Sequence, residues 1–300
     1  MSLAPVPTEV VVAPRVMAEQ RTPQRRRAPR TRVRVPRVPP RVSVGRWLTR
    51  GLSLAVGMAL WQWAASHHVD LGIVQFRNVP APTEVAVAAA GLLASPKLAF
   101  HVRNSLGRVL GGFAGATVVG IGLGLLIGRW KRAADLLLPP LEVIRPIPGV
   151  AWIPLAILMF PSSELSMVFI TFMGALFPIL LNTIHGVEGL DARLVAGART
   201  LGARSFSLFR EVILPGAMPS IVTGLSIGMG TAWFCLVTAE MISGQYGIGY
   251  YTWESYNLQR YPDIVVGMLF IGLFGMLSSL AVKWVGALLM PWYRLREPAR

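Results

Sequence analysis

Charge and cysteine are scarce in this 300-residue sequence, in which charged residues make up 14% and hydrophobic residues 53%. An average soluble chain carries about 25% charged residues. So small a stock cannot cover a water-facing surface, which excludes a pair of soluble domains and leaves lipid as the surroundings of most apolar side chains. The single cysteine, Cys235, excludes an intramolecular disulfide and a cysteine-based metal site. The four histidines, His67, His68, His101 and His185, lack the i, i+4 spacing of a helical metal pair. No Gly-x4-Gly-Lys-Ser/Thr phosphate loop occurs, so the chain has no ATP cradle of the usual kind. No convincing internal repeat is present, which weighs against folds built from tandem inverted halves. No cofactor is expected.

The net charge of +15 resembles a nucleic-acid signal until it is mapped. Residues 1–50 hold twelve arginines against Glu9 and Glu19, so ten of the fifteen charges sit there. The other 250 residues carry 17 basic and 12 acidic side chains. The basicity belongs to a tail, and no nucleic-acid partner is expected. Residues 1–46, rich in Pro, Arg and Val without helical periodicity, read as a disordered basic cytosolic tail that touches anionic lipid heads. An organelle transit peptide fits the same composition; a twin-arginine export signal does not, because its apolar stretch would have to follow closely.

Apolar runs of bilayer length follow, each needing about 20 residues to cross ~30 Å of hydrocarbon. They fall near 48–66, 107–128, 135–160, 165–186, 217–243 and 263–289, the third being the least regular. The expected fold is all-α: a polytopic membrane protein of about six transmembrane helices. Its divisions are a first transmembrane helix over 47–66, an amphipathic outer-face segment over 67–106, a core over 107–293 and a cytosolic tail over 294–300. Basic residues set the orientation. The tail, the Arg129–Arg132 cluster, the 187–215 loop and the C-terminal arginines share one face, so both termini are expected in the cytosol.

The 187–215 loop is far longer than a hairpin requires, and long ordered loops tend to be functional. Leu190, Leu194, Ala198 and Leu201 recur at helical spacing. Gly202 sits where a helix closes in the left-handed region, and Ser205 is placed to cap a second helix carrying Phe206, Phe209 and Val212. Pro215 and Pro219 mark the start of the next span. By pattern alone this helix pair is either a docking element for a partner or an interfacial pair lying on lipid.

The run Ala196-Gly197-Ala198, then Gly202, then Val212-Ile213-Leu214-Pro215, resembles the EAA loop of binding-protein-dependent ABC importer permeases. That pattern is Glu-Ala-Ala, three residues, Gly, nine residues, Ile, one residue, Leu-Pro. The Gly to Leu-Pro spacing is matched in full, while Ala196 replaces the usual Glu and Gly197 the first Ala. The resemblance extends over roughly 75–292, through HVRNSLGRVLGGF, IRPIPGVAWIPLAIL, FPILLNTIHGV and AEMISGQYGIGYYTW. Together these are most similar to the nitrate/sulfonate/taurine/bicarbonate branch. The resemblance implies a type I importer fold in the bacterial inner membrane and a loop that docks on a separate cytosolic ATPase. It also implies a second copy of the chain around the pathway, a periplasmic solute-binding protein and a small anionic cargo.

Two further features bear on a pathway. Pro139, Pro140, Pro146, Pro148 and Pro154 crowd one span. Interior prolines remove backbone hydrogen bonds that lipid cannot replace, so a broken helix lining a cavity or gate is expected, with Glu142 and Arg145 one turn apart and able to pair. The alternative is a curved span whose Arg145 snorkels to the lipid heads. Glu240 ends an apolar run; with an anionic cargo it is expected to accept from backbone donors in the glycine-rich 244–249 turn. Tyr246, Tyr250, Tyr251, Trp253 and Tyr256 fit an interfacial aromatic belt. Gly120, Gly124 and Gly128 signal close helix packing, within the subunit or across a dimer.

The reading that results is the non-catalytic permease subunit of an ATP-driven importer. Leu194, Ala196, Gly197, Ala198, Leu201, Gly202, Ser205, Phe206, Phe209, Leu214 and Pro215 form its coupling loop; Glu142, Arg145, Pro146, Pro148 and Glu240 form a pathway or gate. The alternative is a gradient-driven carrier or channel without an ATPase. A membrane-embedded enzyme finds little support, because Asp135, Glu142, Glu240 and His185 form no evident catalytic set.

Overall fold

The structure, a computed structural model, describes residues 44–293 apart from 71, 73, 74 and 245. The basic tail expected over 1–46, except for 44–46, and the tail over 294–300 lie outside the described residues. The described residues form eleven α-helices and no strand: α1 Val44–Ser66, α2 Pro82–Leu93, α3 Pro96–Arg129, α4 Lys131–Ile144, α5 Ile153–Met159, α6 Ser163–Glu188, α7 Ala192–Thr200, α8 Ser205–Leu208, α9 Leu214–Ser243, α10 Ile248–Asn257 and α11 Tyr261–Leu289.

Local chemistry sets several helix ends. Ser95 caps α3 by accepting from the Lys97 amide, with Pro96 at the first helical position, where its missing N–H costs nothing. Ser162 caps α6 from the Leu165 amide, and Glu164 lies in that first turn, favoured by the helix dipole. α9 closes on Gly244 in the left-handed region (φ +64°).

Four continuous helical stretches are long and apolar enough to cross a membrane: 96–129, 163–188, 205–243 and 261–289. The expected 135–160 span is a bent pair, α4 followed by 149–159, with 83° between its halves. α1 spans ~34 Å at 1.5 Å per residue, but Arg50 and Gln62 leave it less apolar than the other four. The expectation of about six crossings thus resolves into four unbroken helical stretches, one bent pair and α1. The chain is an all-α polytopic membrane protein.

The 67–106 segment is organised differently from the expectation of one or two interfacial helices. α2 is short and packs Val85 and Leu92 against Val266 of α11 and Trp61 of α1. From Pro96 the chain is already in α3, eleven residues earlier than 107. Its early charges, Lys97 and Arg103, read as interfacial; Arg108, at the start of the expected span, is internal and paired.

α6 is the central helix. Half of its most apolar stretch is buried, against 11% for α11, which therefore lies at the periphery. Small residues let α3 approach it closely: a Cβ added to Gly112, Gly120, Gly124 or Gly128 would meet Thr171, Ile179, Thr183 or Val187 of α6 at 2.5–3.0 Å. The glycine spacing in α3 is a packing seam within the subunit. On the other side of α6, Gly224 and Gly228 of α9 make the same kind of contact with Asn182 and Ile179. Ile170, Ala175, Ile179, Met229, Ala232 and Leu236 fill the core between these helices.

Candidate functional site

Three places carry the residues of interest, the first being the loop between α6 and α9. Asp191 caps α7 by accepting from the Arg193 amide at 2.8 Å. α7 ends on Leu201, and Gly202 adopts φ +86°, a conformation that costs an L side chain ~1–2 kcal/mol. The Gly202 and Ala203 amides donate back to Arg199 and Ala198 carbonyls, closing the turn. Ser205 was expected as the cap of the second helix; the cap position is Arg204, still extended at ψ 163°, and Ser205 is the first helical residue with no side-chain cap bond. The extended path after Gly202 ends one residue sooner than the pattern suggested.

This loop has two faces. Leu194, Leu201 and Phe206 point outward, 60%, 89% and 73% exposed, and Ala196, Gly197, Gly202 and Ser205 lie beside them at the surface. Ala198, Phe209 and Leu214 turn inward, against a cluster of Val187, Leu208, Ile213, Ala217 and Ile221. Phe209, expected among the outward teeth, is thus half-buried. α8 passes through a π-turn, Phe209–Ile213, directly into α9, with Pro215 in the first turn of α9. Residues 205–243 form one continuous helical stretch. A displacement of α8 has no flexible linker in which to dissipate before it reaches α9.

The second place is the break after α4. Pro139 and Pro140 are accommodated inside α4, whereas Pro146 and Pro148 lie in the bend itself. Glu142 and Arg145 pair at 3.5 Å, both half-exposed. Gly149 presses the bend against the core, since a Cβ there would sit 2.7 Å from Cys235 Sγ of α9.

The third place centres on Glu240, fully buried at the end of α9. Its Oε2 accepts from the Gly249 amide at 2.9 Å, the contact with the glycine-rich turn that the sequence suggested. Its Oε1 accepts from Ser105 Oγ at 2.7 Å and from Arg108 Nη1 at 2.9 Å. Arg108, only 3% exposed, also donates to both carboxylate oxygens of Glu164, with Nε–Oε2 at 2.7 Å, and to the Tyr246 carbonyl. Ser105 Oγ accepts from the Ile248 amide at 2.9 Å, and His101 Nδ1 accepts from the Gly247 amide at 3.1 Å. His101, Ser105 and Arg108 are spaced i, i+4, i+7 on one face of α3. They tie α3, the start of α6, the end of α9 and the 246–249 turn into one unit. Gly247 is required there twice over: φ is +151°, and a Cβ would fall 2.2–2.4 Å from the Glu240 carboxylate.

Sequence reasoning missed Arg108, Glu164 and the role of His101. Their partners lie 56 to 146 residues away, beyond any local periodicity. The available signal was an arginine inside an apolar helical run, which needs a partner. Among the described residues no group of three His, Cys, Asp or Glu side chains is arranged to hold a metal. Trp253 and Tyr256 stack on each other at the surface of α10, as a membrane-interface belt would have them.

Comparison with known proteins places this architecture. Residues 120–295 match the family model described as binding-protein-dependent transport system inner membrane component. A protein named as an ABC transporter permease in Methanocaldococcus jannaschii is 39% identical over 208 residues, 69% of this chain and 78% of that protein. The nitrate import permease protein of Synechocystis is 32% identical over 249 residues, 80% of this chain and 88% of its own. An Escherichia coli permease protein named for aliphatic sulfonates transport is 36% identical over 263 residues, 85% and 97% of the two chains. With its apolar helices and this kinship, the chain belongs to the binding-protein-dependent transport family as a multi-pass inner-membrane ABC permease of the nitrate and sulfonate branch.

Proposed function

We propose that this chain is the membrane half of an ATP-driven importer of small oxyanions, working as two copies with a separate cytosolic ATPase and a periplasmic solute-binding protein. The observation that carries the reading is the two-faced 191–213 segment. Its outward Leu194, Leu201 and Phe206 form an apolar surface for a partner, while its inward face and π-turn join it to α9. ATP-driven closure of the ATPase pair would press on these side chains and swing α9 against α6. A partner shifts such an equilibrium only by holding one state more tightly than the other. The chain supplies no ATP cradle of its own, so hydrolysis belongs to the partner and this subunit is non-catalytic.

α1 completes a set of six crossings, and the basic clusters put both termini and the coupling loop in the cytosol. The bend at 145–149, with the exposed Glu142–Arg145 pair at its start, serves as pathway wall or gate. Cargo class follows the names of the relatives, nitrate and aliphatic sulfonates. The test is Leu201→Asp in the full chain co-expressed with its cognate ATPase. Membrane insertion should persist while uptake and ATPase co-purification fall to background. Undiminished co-purification would overturn the docking role of this face, and the ligand bound by the cognate binding protein would identify the cargo.

A further inference from the structure

α9 and α11 run side by side, and on the half of this pair nearer the coupling loop they flank an open cleft of about 360 Å³ lined by Val222, Thr223, Ser226, Ile227, Ser279 and Lys283, of which Thr223, Ile227 and Lys283 are exposed. It differs in kind from the larger groove of about 530 Å³ over α3, α9 and α11, whose lining is almost wholly aliphatic. Lys283 is the sole charged side chain of α11 after Asp263, and the one charge on α9, Glu240, is spent on Arg108. Among the described residues no acceptor meets the Lys283 ammonium.

Lys283 lies in the last third of α11 and shares its cleft with hydroxyls of α9 and α11. It precedes the end of α11 by six residues, about 9 Å. The hydroxyls that share its cleft stand nine and twelve residues into α9, about 14–18 Å from its start. An unpaired ammonium within a span marks a polar pathway when it faces other polar groups. The hydroxyls are of the right type. Thr223 and Ser226 donate at 2.9 Å to the Pro219 and Val222 carbonyls and can rotate into the cleft, while Ser279 has no partner among the described residues.

We propose that this cleft is an oxyanion-binding site on the transit pathway. Lys283 supplies the charge, and Ser279, Ser226 and Thr223 supply directional donors to a small monovalent oxyanion of the nitrate, bicarbonate or sulfonate kind. The cleft carries no acidic side chain that would repel such a ligand. The ligand class rests on the reading of this chain as an anion permease; the positive charge of the cleft does not.

The experiment places a single thiol in the cleft, as Ser226→Cys and separately Ser279→Cys, in the full chain in membranes. It measures modification rates with an anionic and a cationic methanethiosulfonate of similar size, the parent chain with its buried Cys235 giving the background. Any effect of Lys283 on thiol ionisation changes both rates alike and cancels in their ratio. A unit charge about 6 Å away shifts each rate about threefold even at the dielectric constant of water, in opposite directions. Lys283→Gln should therefore lower the anionic-to-cationic ratio roughly tenfold and Lys283→Arg should preserve it. Sodium nitrate should slow modification only where a cation stands at 283. Lack of reaction at both thiols, or a ratio indifferent to residue 283, overturns the proposal, since the cleft would then face lipid; absence of nitrate protection overturns the binding site. None of these readings requires the ATPase, so they can fail while the importer reading stands, and the converse holds.

Discussion

Removing the Arg108 guanidinium strands a carboxylate inside the helix bundle. In Arg108→Ala, Glu240 keeps the Ser105 hydroxyl and the Gly249 amide but loses its only cation among the described residues, while fully buried. Breaking a buried pair from one side costs about 3–5 kcal/mol, because the remaining charge has neither water nor a counter-ion. At about 2–4 °C per kcal/mol for a chain of 150–250 residues, the melting temperature should fall by roughly 6–20 °C. Glu164→Gln is the control: Glu164 is 54% exposed, Arg108 retains Glu240, and the cost should stay near 1 kcal/mol or below. Arg108→Met combined with Glu240→Gln removes both charges and should regain at least about 1–2 kcal/mol of the loss. The assay is thermal unfolding of the detergent-purified full chain, followed by tryptophan fluorescence. An Arg108→Ala protein that melts with the parent, or a double variant less stable than the single one, would refute the argument that this cluster locks α3, α6 and α9 together.

Three other outcomes follow from particular contacts. Gly124→Val should destabilise the α3–α6 seam by about 1–3 kcal/mol or more, read by the same melt, because a Cβ there already meets Thr183 at 2.5 Å; Gly122→Val, with open space around it, should not. Gly202→Pro should abolish uptake and ATPase association while membrane insertion persists, since proline holds φ near −65° and the turn needs +86°. Gly247→Ala should lower the melting temperature and expose the 244–249 turn to proteolysis, the added methyl colliding with Glu240.

The parts of this fold legible in the sequence are those encoded locally. α6, α9 and α11 appear as apolar runs of the right length, and the broken third span shows in Pro146 and Pro148 because proline acts on its own backbone. The Gly202 turn was legible for the same reason. The start of α3 was not: Lys97 and Arg103 suggest a water-facing segment, and the partners that hold Arg108 inside the bundle, Glu164 and Glu240, lie 56 and 132 residues away. Glu240 was half legible, its glycine-turn partner lying nine residues away and its arginine far off. The inward turn of Phe209 could not be read either, because it depends on the π-turn that rotates 209–213 relative to a regular helix. The cleft around Lys283 escaped for a further reason. Its members come from two helices whose side-by-side packing no spacing within either one reveals.

The central claim is that the outward face of the 191–213 segment docks on an ATPase and not on lipid. A photoreactive amino acid placed at Leu201, at the buried Leu208 and at the exposed Leu158 of α5 tests it in membranes containing the cognate ATPase. The account predicts a permease–ATPase adduct from position 201 alone. Adducts from 201 that contain only lipid, like those from 158, would contradict it.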